Sequence, residues 1–281
     1  MTGHTVKITV LGPWSLKTSR QFWEGFTPAA LPQSPRDDDP ALRTVFRVDA
    51  DWSAATAEVT QHGHTATITV QGDGDLDAAA AQVGRFLSLD IDARAWPEVA
   101  DRDTVIADAQ QRLPGLRPCG FHSPYEAAAW SVLSQRVRIV QAAKLREQLV
   151  ADHGDGGAFP APGRLRRLDL DLPGRKAEYL QAVAEAALEG RLDGAALHAA
   201  DPERSVNDLQ SIKGIGPFAA ELIVLRGANS PDALPRNERR LAAEVAQRYG
   251  PDQSLDVIAE AWRPFRTWAA VLLRALREQR T

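Results

Sequence analysis

The chain has 281 residues, 44% hydrophobic and 25% charged, a length that favours two domains with a core each and a composition that excludes large-scale disorder. No apolar run reaches the ~18 residues of a membrane span, and Met1 to Val10 lacks the basic flank and apolar stretch of a secretory signal, so a cytoplasmic protein with no membrane partner is expected. The net charge of -4 excludes a uniformly basic surface, and the single cysteine, Cys119, excludes an internal disulfide and an iron–sulfur cluster, leaving Cys119 as a plain small residue.

The first hundred residues mix strand and helix. Val6 to Val10 alternates and ends at Gly12-Pro13, Thr44 to Val48 follows a charged loop, and Thr65 to Val70 lies between Gly63 and Gly72, which predicts strands of an antiparallel sheet. Ser15 to Phe26 has helical spacing at Leu16, Phe22, Trp23 and Phe26, and Leu76 to Leu87 is an alanine-rich amphipathic helix opened by Asp75. Ala29 to Pro40, with three prolines and the run Asp37-Asp38-Asp39, is a loop. Between Asp90 and Arg102 the pattern changes from mixed to helical, which places an α+β domain at 1–98 and an all-α domain at 99–281.

In the second part Ser123-Pro124 opens a helix, with serine as N-cap and proline in the first turn. Further helices are predicted at Val137–Asp152, Arg175–Glu189, Val206–Ile212, Pro217–Arg226, Asn237–Tyr249, Leu255–Trp262 and Thr267–Arg277. Charge is uneven along this order: residues 1–100 hold 8 Lys and Arg against 13 Asp and Glu, residues 210–281 hold 11 against 8. Only the last segment is basic. That excess is small and is equally what a solvated helical surface carries.

The most informative stretch runs from Leu209 through Ile212, Lys213, Gly214, Ile215, Gly216, Pro217 and Phe218 to Ala220. Leu209 and Ile212 lie on the buried face of one helix, Pro217 opens a second, and Gly227 closes it. Two glycines flank one apolar residue in a tight turn, where positive φ is permitted and backbone N–H groups stay uncovered, so that together with a helix N-terminus they can hold a phosphate. Ala219 and Ala220 are small enough for the helices to approach closely. A bare Gly-x-Gly would be a simple turn; the full pattern points to phosphate.

At these residues the sequence resembles the helix-hairpin-helix DNA glycosylase superfamily, and most closely its 3-methyladenine DNA glycosylase II branch. Pro114-Gly115-Leu116-Arg117 with Tyr125-Glu126-Ala127, Leu188-Glu189-Gly190, and Trp262-Arg263-Pro264-Phe265-Arg266-Thr267-Trp268-Ala269 extend the resemblance over residues 101 to 281. It implies double-stranded DNA as partner, a damaged base flipped out of the duplex, and hydrolysis of its bond to the sugar without a catalytic cofactor. A carboxylate after the hairpin would face the developing positive charge on the sugar. This chain reads Asp232-Ala233-Leu234-Pro235-Arg236-Asn237-Glu238 there, so Glu238 stands where the family has aspartate. Its extra methylene shifts the carboxylate by about a bond length, and a misplacement of ~1 Å can cost ~100-fold in rate. Without the resemblance, Glu238 is an acid in the first turn of a helix capped by Asn237.

Other positions follow from the resemblance. Phe218 occupies the place of the lysine nucleophile of bifunctional members, which excludes a Schiff base at that position and keeps an aromatic surface for the base. Leu222 replaces an aromatic residue of the pocket, and Trp268, Trp130 and Trp14 are further candidate walls, with core packing as the alternative reading of each. Gln135 would approach the bases and Arg136 would fill the gap left by the flipped nucleotide. Lys213, Arg239 and Arg240 are candidate DNA contacts beside the turn residues Gly214, Ile215 and Gly216. The carbonyls of Gln210, Ile212 and Ile215 are the family's seat for a monovalent cation. Two functions stay open: a monofunctional glycosylase acting on a damaged, alkylated base, and a DNA-binding protein with this fold that leaves the base in place. No oligomer is implied.

Overall fold

A computed structural model describes residues 2–26 and 40–278. Residues 27–39 lie outside the described residues, and with them the predicted loop and its aspartate run. The strands β1 (Thr2–Thr9), β2 (Leu42–Arg47), β3 (Ala54–His62) and β4 (Thr65–Gly72) form one antiparallel sheet in the order β1-β4-β3-β2. Val6 and Val59 both face Ile68 in register, so the same face of three strands is apolar. β3 is absent from the sequence expectation because its buried side consists of Ala55, Ala57 and Val59, and alanine carries little strand signal. Helices α1 (Leu16–Glu24) and α2 (Leu76–Phe86) close this core. Ser15 and Asp75 cap them by accepting the N–H groups of Thr18 and Ala78.

The rest is helical, so the α+β arrangement holds: α3 (Glu98–Arg102), α4 (Thr104–Arg112), α5 (Pro124–Leu133), α6 (Ile139–His153), α7 (Pro162–Leu165), α8 (Lys176–Leu188), α9 (Gly194–Ala199), α10 (Pro202–Leu209), α11 (Pro217–Leu222), α12 (Arg239–Tyr249), α13 (Leu255–Ala259) and α14 (Arg266–Glu278). These helices build two cores. One gathers α5, α8, α10 and α11 around Leu133, Leu180, Ile212 and Ile223. The other joins Trp96, Val99 and Ile106 to Leu241, Trp262, Trp268 and Leu273, so Ala93 and Trp96 already belong to it although they precede residue 98.

Buried polar groups fasten these units. Arg117, fully buried, donates to the carbonyls of Pro13, Ser88, Ile91 and Leu11 and lies over the Trp268 ring at 5.4 Å. Burial pushes its guanidinium down to about 10. Asp103 caps α4 and accepts from Tyr249 Oη at 2.8 Å and Trp262 Nε1 at 2.7 Å. Cys119 is buried among the residues of the sheet core, its thiol pushed up to about 12 by burial. No described helix is long and apolar enough to cross a membrane.

Candidate DNA-binding and base-excision site

The hairpin forms as its sequence requires, with α10 leading through Ile212 into the turn and α11 leaving it. Its two glycines do different work. Gly214 has φ +90, and a Cβ there would stand 2.5 Å from Tyr179 Cγ, so glycine is demanded by conformation and by the α8 ring above it. Gly216, expected to share that freedom, has φ -96 and is the N-cap of α11, without a side-chain cap bond. A Cβ at Gly216 would meet nothing within 4 Å. The turn therefore opens toward space at the helix N-terminus, where phosphate would sit.

α11 does not run on as an α-helix to Arg226. Ile223–Gly227 widens into a π-turn, with Ala228 N donating to Ile223 O at 2.8 Å. Gly227 is needed for proximity and not as a positive-φ stop, since a Cβ would stand 2.8 Å from Pro124 Cα and 2.9 Å from Ala127 Cβ.

Gln135 is tied to the hairpin, its Nε2 donating to Gly214 O at 2.8 Å. Lys176, buried at 5% exposure, supports the same loop by donating to Val132 O at 2.9 Å and Gln135 O at 2.6 Å. It satisfies carbonyls at the end of α5 and has its pKa lowered by burial. Arg136 follows with φ +55 and an exposed side chain, at a backbone conformation uncommon for residues other than glycine. Lys213 projects from the turn but pairs with Glu178, which also binds Arg175. These two cations hold the Glu178 carboxyl down at about 2, Arg175 foremost.

Phe218 is 48% exposed on the first turn of α11, and Leu222 is half-buried against the hairpin core. The tryptophans proposed as walls do not join them. Trp14 belongs to the sheet core, Trp130 to the hairpin core and Trp268 to the third, each at most 8% exposed. Trp268 packs against Trp96 and Phe265 with ring centroids at 5.6 and 5.1 Å. Their size fills three interiors and leaves no face for a base.

The loop bearing Glu238 is held from both sides. Asp232 accepts from Arg266 N at 3.1 Å and Arg266 Nε at 2.9 Å, and Thr267 Oγ1 bonds both the N–H and the carbonyl of Ala233, so the two motifs Asp232-Ala233-Leu234-Pro235 and Trp262 to Ala269 are one clamp. On the other side the buried Glu221 of α11 accepts from Arg236 N at 3.1 Å, Asn237 N at 2.9 Å and Asn237 Nδ2 at 2.7 Å. Asn237 thus spends its side chain on Glu221 and caps no helix. Glu238 itself is the N-cap residue of α12, with φ -91 and no cap bond from its side chain. Its Oε2 instead accepts from Arg274 Nε of α14 at 2.9 Å, the two side chains being 23% and 16% exposed. Arg239 and Arg240 are exposed and make no ion pair among the described residues.

Glu221, Tyr179, Lys176 and Arg274 are the site residues that sequence reasoning missed. Glu221 left a signal in hindsight: an acid four residues after Pro217, among small and apolar neighbours on a buried helix. Lys176, Tyr179 and Arg274 act across distant helices and left none. The Ile212 carbonyl accepts Ile215 N at 3.0 Å, which leaves one lone pair for a cation.

No family model matches the chain. Among curated proteins it is 26% identical over 202 residues to the DNA-3-methyladenine glycosylase of Bacillus subtilis, covering 66% of this chain and 67% of that one. It is 29% identical over 257 residues to a Mycobacterium tuberculosis protein named as a probable bifunctional transcriptional activator/DNA repair enzyme AlkA, covering 85% of this chain and 51% of that one. The chain spans about half the length of that relative. Among solved structures it resembles the 3-methyladenine DNA-glycosylase from Archaeoglobus fulgidus, with a TM-score of 0.73 at 21% identity over 98% of both chains. In sequence the chain is thus similar to DNA-3-methyladenine glycosylases, and it shares the fold of the Archaeoglobus fulgidus protein.

Proposed function

We propose that the chain is a monofunctional DNA glycosylase of base excision repair that removes an alkylated base from double-stranded DNA in the cytoplasm. One observation carries this: Glu221, on the helix that leaves the phosphate-facing turn, holds the two residues before Glu238. The carboxylate is thereby fixed relative to the turn that would grip the backbone, which is what positioning a sugar against a charge requires. In this reading the α11 N-terminus and Gly216 bind phosphate, Arg136 enters the stack, and the extruded base lies on the exposed face of Phe218. The C1′–N bond breaks with its electron pair leaving on the base. Water adds to C1′ and releases a proton, while Glu238 stabilises the positive charge in between. A monovalent cation on the Gln210, Ile212 and Ile215 carbonyls would hold the turn in shape and supply no chemistry.

A second reading, a DNA-binding protein that cleaves nothing, draws on the Arg274 guanidinium against Glu238. The test is single-turnover incubation with duplexes carrying alkylated purines, followed by alkali. Excision should leave an alkali-labile abasic site, no strand nick before alkali and no borohydride-trapped adduct. Glu238→Gln should slow it at least ~10-fold, about 1.4 kcal/mol of barrier. Tight DNA binding with no excision by the wild type or by Glu238→Asp would establish the second reading.

A further inference from the structure

Glu238 is the acid on which excision would depend, and it does not stand alone. Arg274 reaches it from the terminal helix at 2.9 Å, both side chains largely sheltered from water. Two unit charges of opposite sign this close present a dipole to anything a few ångströms farther off, and a dipole acts on a cation far more weakly than the bare carboxylate would. Shelter from solvent keeps water from screening the guanidinium away. Arg274 is also held in place, since α14 begins at the Asp232 clamp and packs its Leu272, Leu273 and Leu276 into the third core.

We infer that Arg274 is an internal counter-ion of Glu238 that weakens the site's hold on a positively charged sugar. This rests on the glycosylase reading and adds a positioning residue that sets how strongly the carboxylate acts. Arg274 touches no reacting atom. It attenuates the field of Glu238, so the protein discriminates a cationic sugar from a neutral one less than a lone carboxylate would.

The measurement is equilibrium binding to two duplexes with abasic-site analogues, one a protonated pyrrolidine that mimics the cationic sugar, the other a neutral tetrahydrofuran. Wild-type protein should prefer the pyrrolidine by less than ~10-fold. Arg274→Met, similar in length and uncharged, should raise that preference at least ~5-fold and speed excision, and Glu238→Gln added to it should erase the gain. Should Arg274→Met fail to fold, Glu238→Gln in the otherwise native chain tests the same point. With the carboxylate replaced by an amide, the guanidinium stays beside the site while the attraction for a cation is lost, and the neutral analogue should be preferred at least ~3-fold. A preference that Arg274→Met leaves unchanged or lowers, or indifference between analogues in Glu238→Gln, would overturn the inference alone. If neither analogue binds better than undamaged duplex, the glycosylase reading fails and this inference falls with it.

Discussion

Added carbon at the two hairpin glycines has opposite consequences. Alanine at Gly214 would adopt φ +90 with its Cβ 2.5 Å from Tyr179 Cγ, so Gly214→Ala should lose at least about 2 kcal/mol of stability and lower the urea midpoint. Valine at Gly216 meets open space and an ordinary φ, at a cost of about 1 kcal/mol for a poor N-cap residue. Its side chain fills the space where phosphate would approach the α11 N-terminus. Gly216→Val should therefore stay folded, keep its circular dichroism spectrum and bind duplex DNA at least ~10-fold more weakly. Unchanged affinity in the folded variant would remove the turn from the binding surface. The sequence pattern already identified these glycines, but it could not say which one serves conformation and which one serves access, because the deciding atom is a tyrosine side chain 35 positions away.

At the scale of elements, the loop after α5 depends on a lysine that never meets DNA. Lys176 holds the carbonyls of Val132 and Gln135, and Gln135 in turn holds Gly214, so α8, α5 and the hairpin share one hydrogen-bonded chain. Lys176→Met should leave the Gln135 carbonyl without its donor and Val132 O with only the backbone N–H of Gln135 at 3.2 Å, cost about 1–3 kcal/mol and weaken DNA binding through the slackened loop. Because the ammonium is buried, the slope of log affinity against log salt should stay unchanged, whereas Arg136→Ala should reduce it by about 1. A Lys176→Met protein with wild-type affinity would show the loop to be set by other contacts. Element types were legible wherever caps and periodicity agreed, as at Ser123-Pro124 and Asp75. The π-turn at Ile223–Gly227 was not, since an apolar run ending in glycine reads as an ordinary helix end, and only the approach to Pro124 and Ala127 distinguishes the two. The role of the three tryptophans was ambiguous in the sequence for a related reason. Tryptophan is the largest side chain available to a core as well as to a wall, and composition does not separate the uses.

At the scale of the molecule, the seam between the sheet unit and the helices contains two buried titratable groups whose effects on stability oppose each other. Asp49 pairs with Arg85 at 3.5 Å and accepts the N–H of Gly194 from α9, yet burial outweighs both and pushes its carboxyl up to about 8. His122 bonds Thr44 Oγ1 at 2.7 Å, stacks between Phe46 and Phe86, and is pushed down to about 4 by burial. Between about pH 4 and 8 the folded protein keeps a proton on Asp49 that the unfolded chain has released, so this group's contribution fades as pH rises. Between about pH 6.5 and 4 the unfolded chain takes up a proton that buried His122 refuses, so its contribution fades as pH falls. Each slope is at most about 1.4 kcal/mol per pH unit, and across the shared window they offset. Asp49→Asn should thus gain on the wild type as pH rises from 5 to 8. His122→Phe, which keeps a ring between Phe46 and Phe86, should be at its worst near pH 7 and approach the wild type toward pH 4. Urea midpoints at unit pH intervals measure both, and variant profiles running parallel to the wild type would show that neither group titrates across the seam.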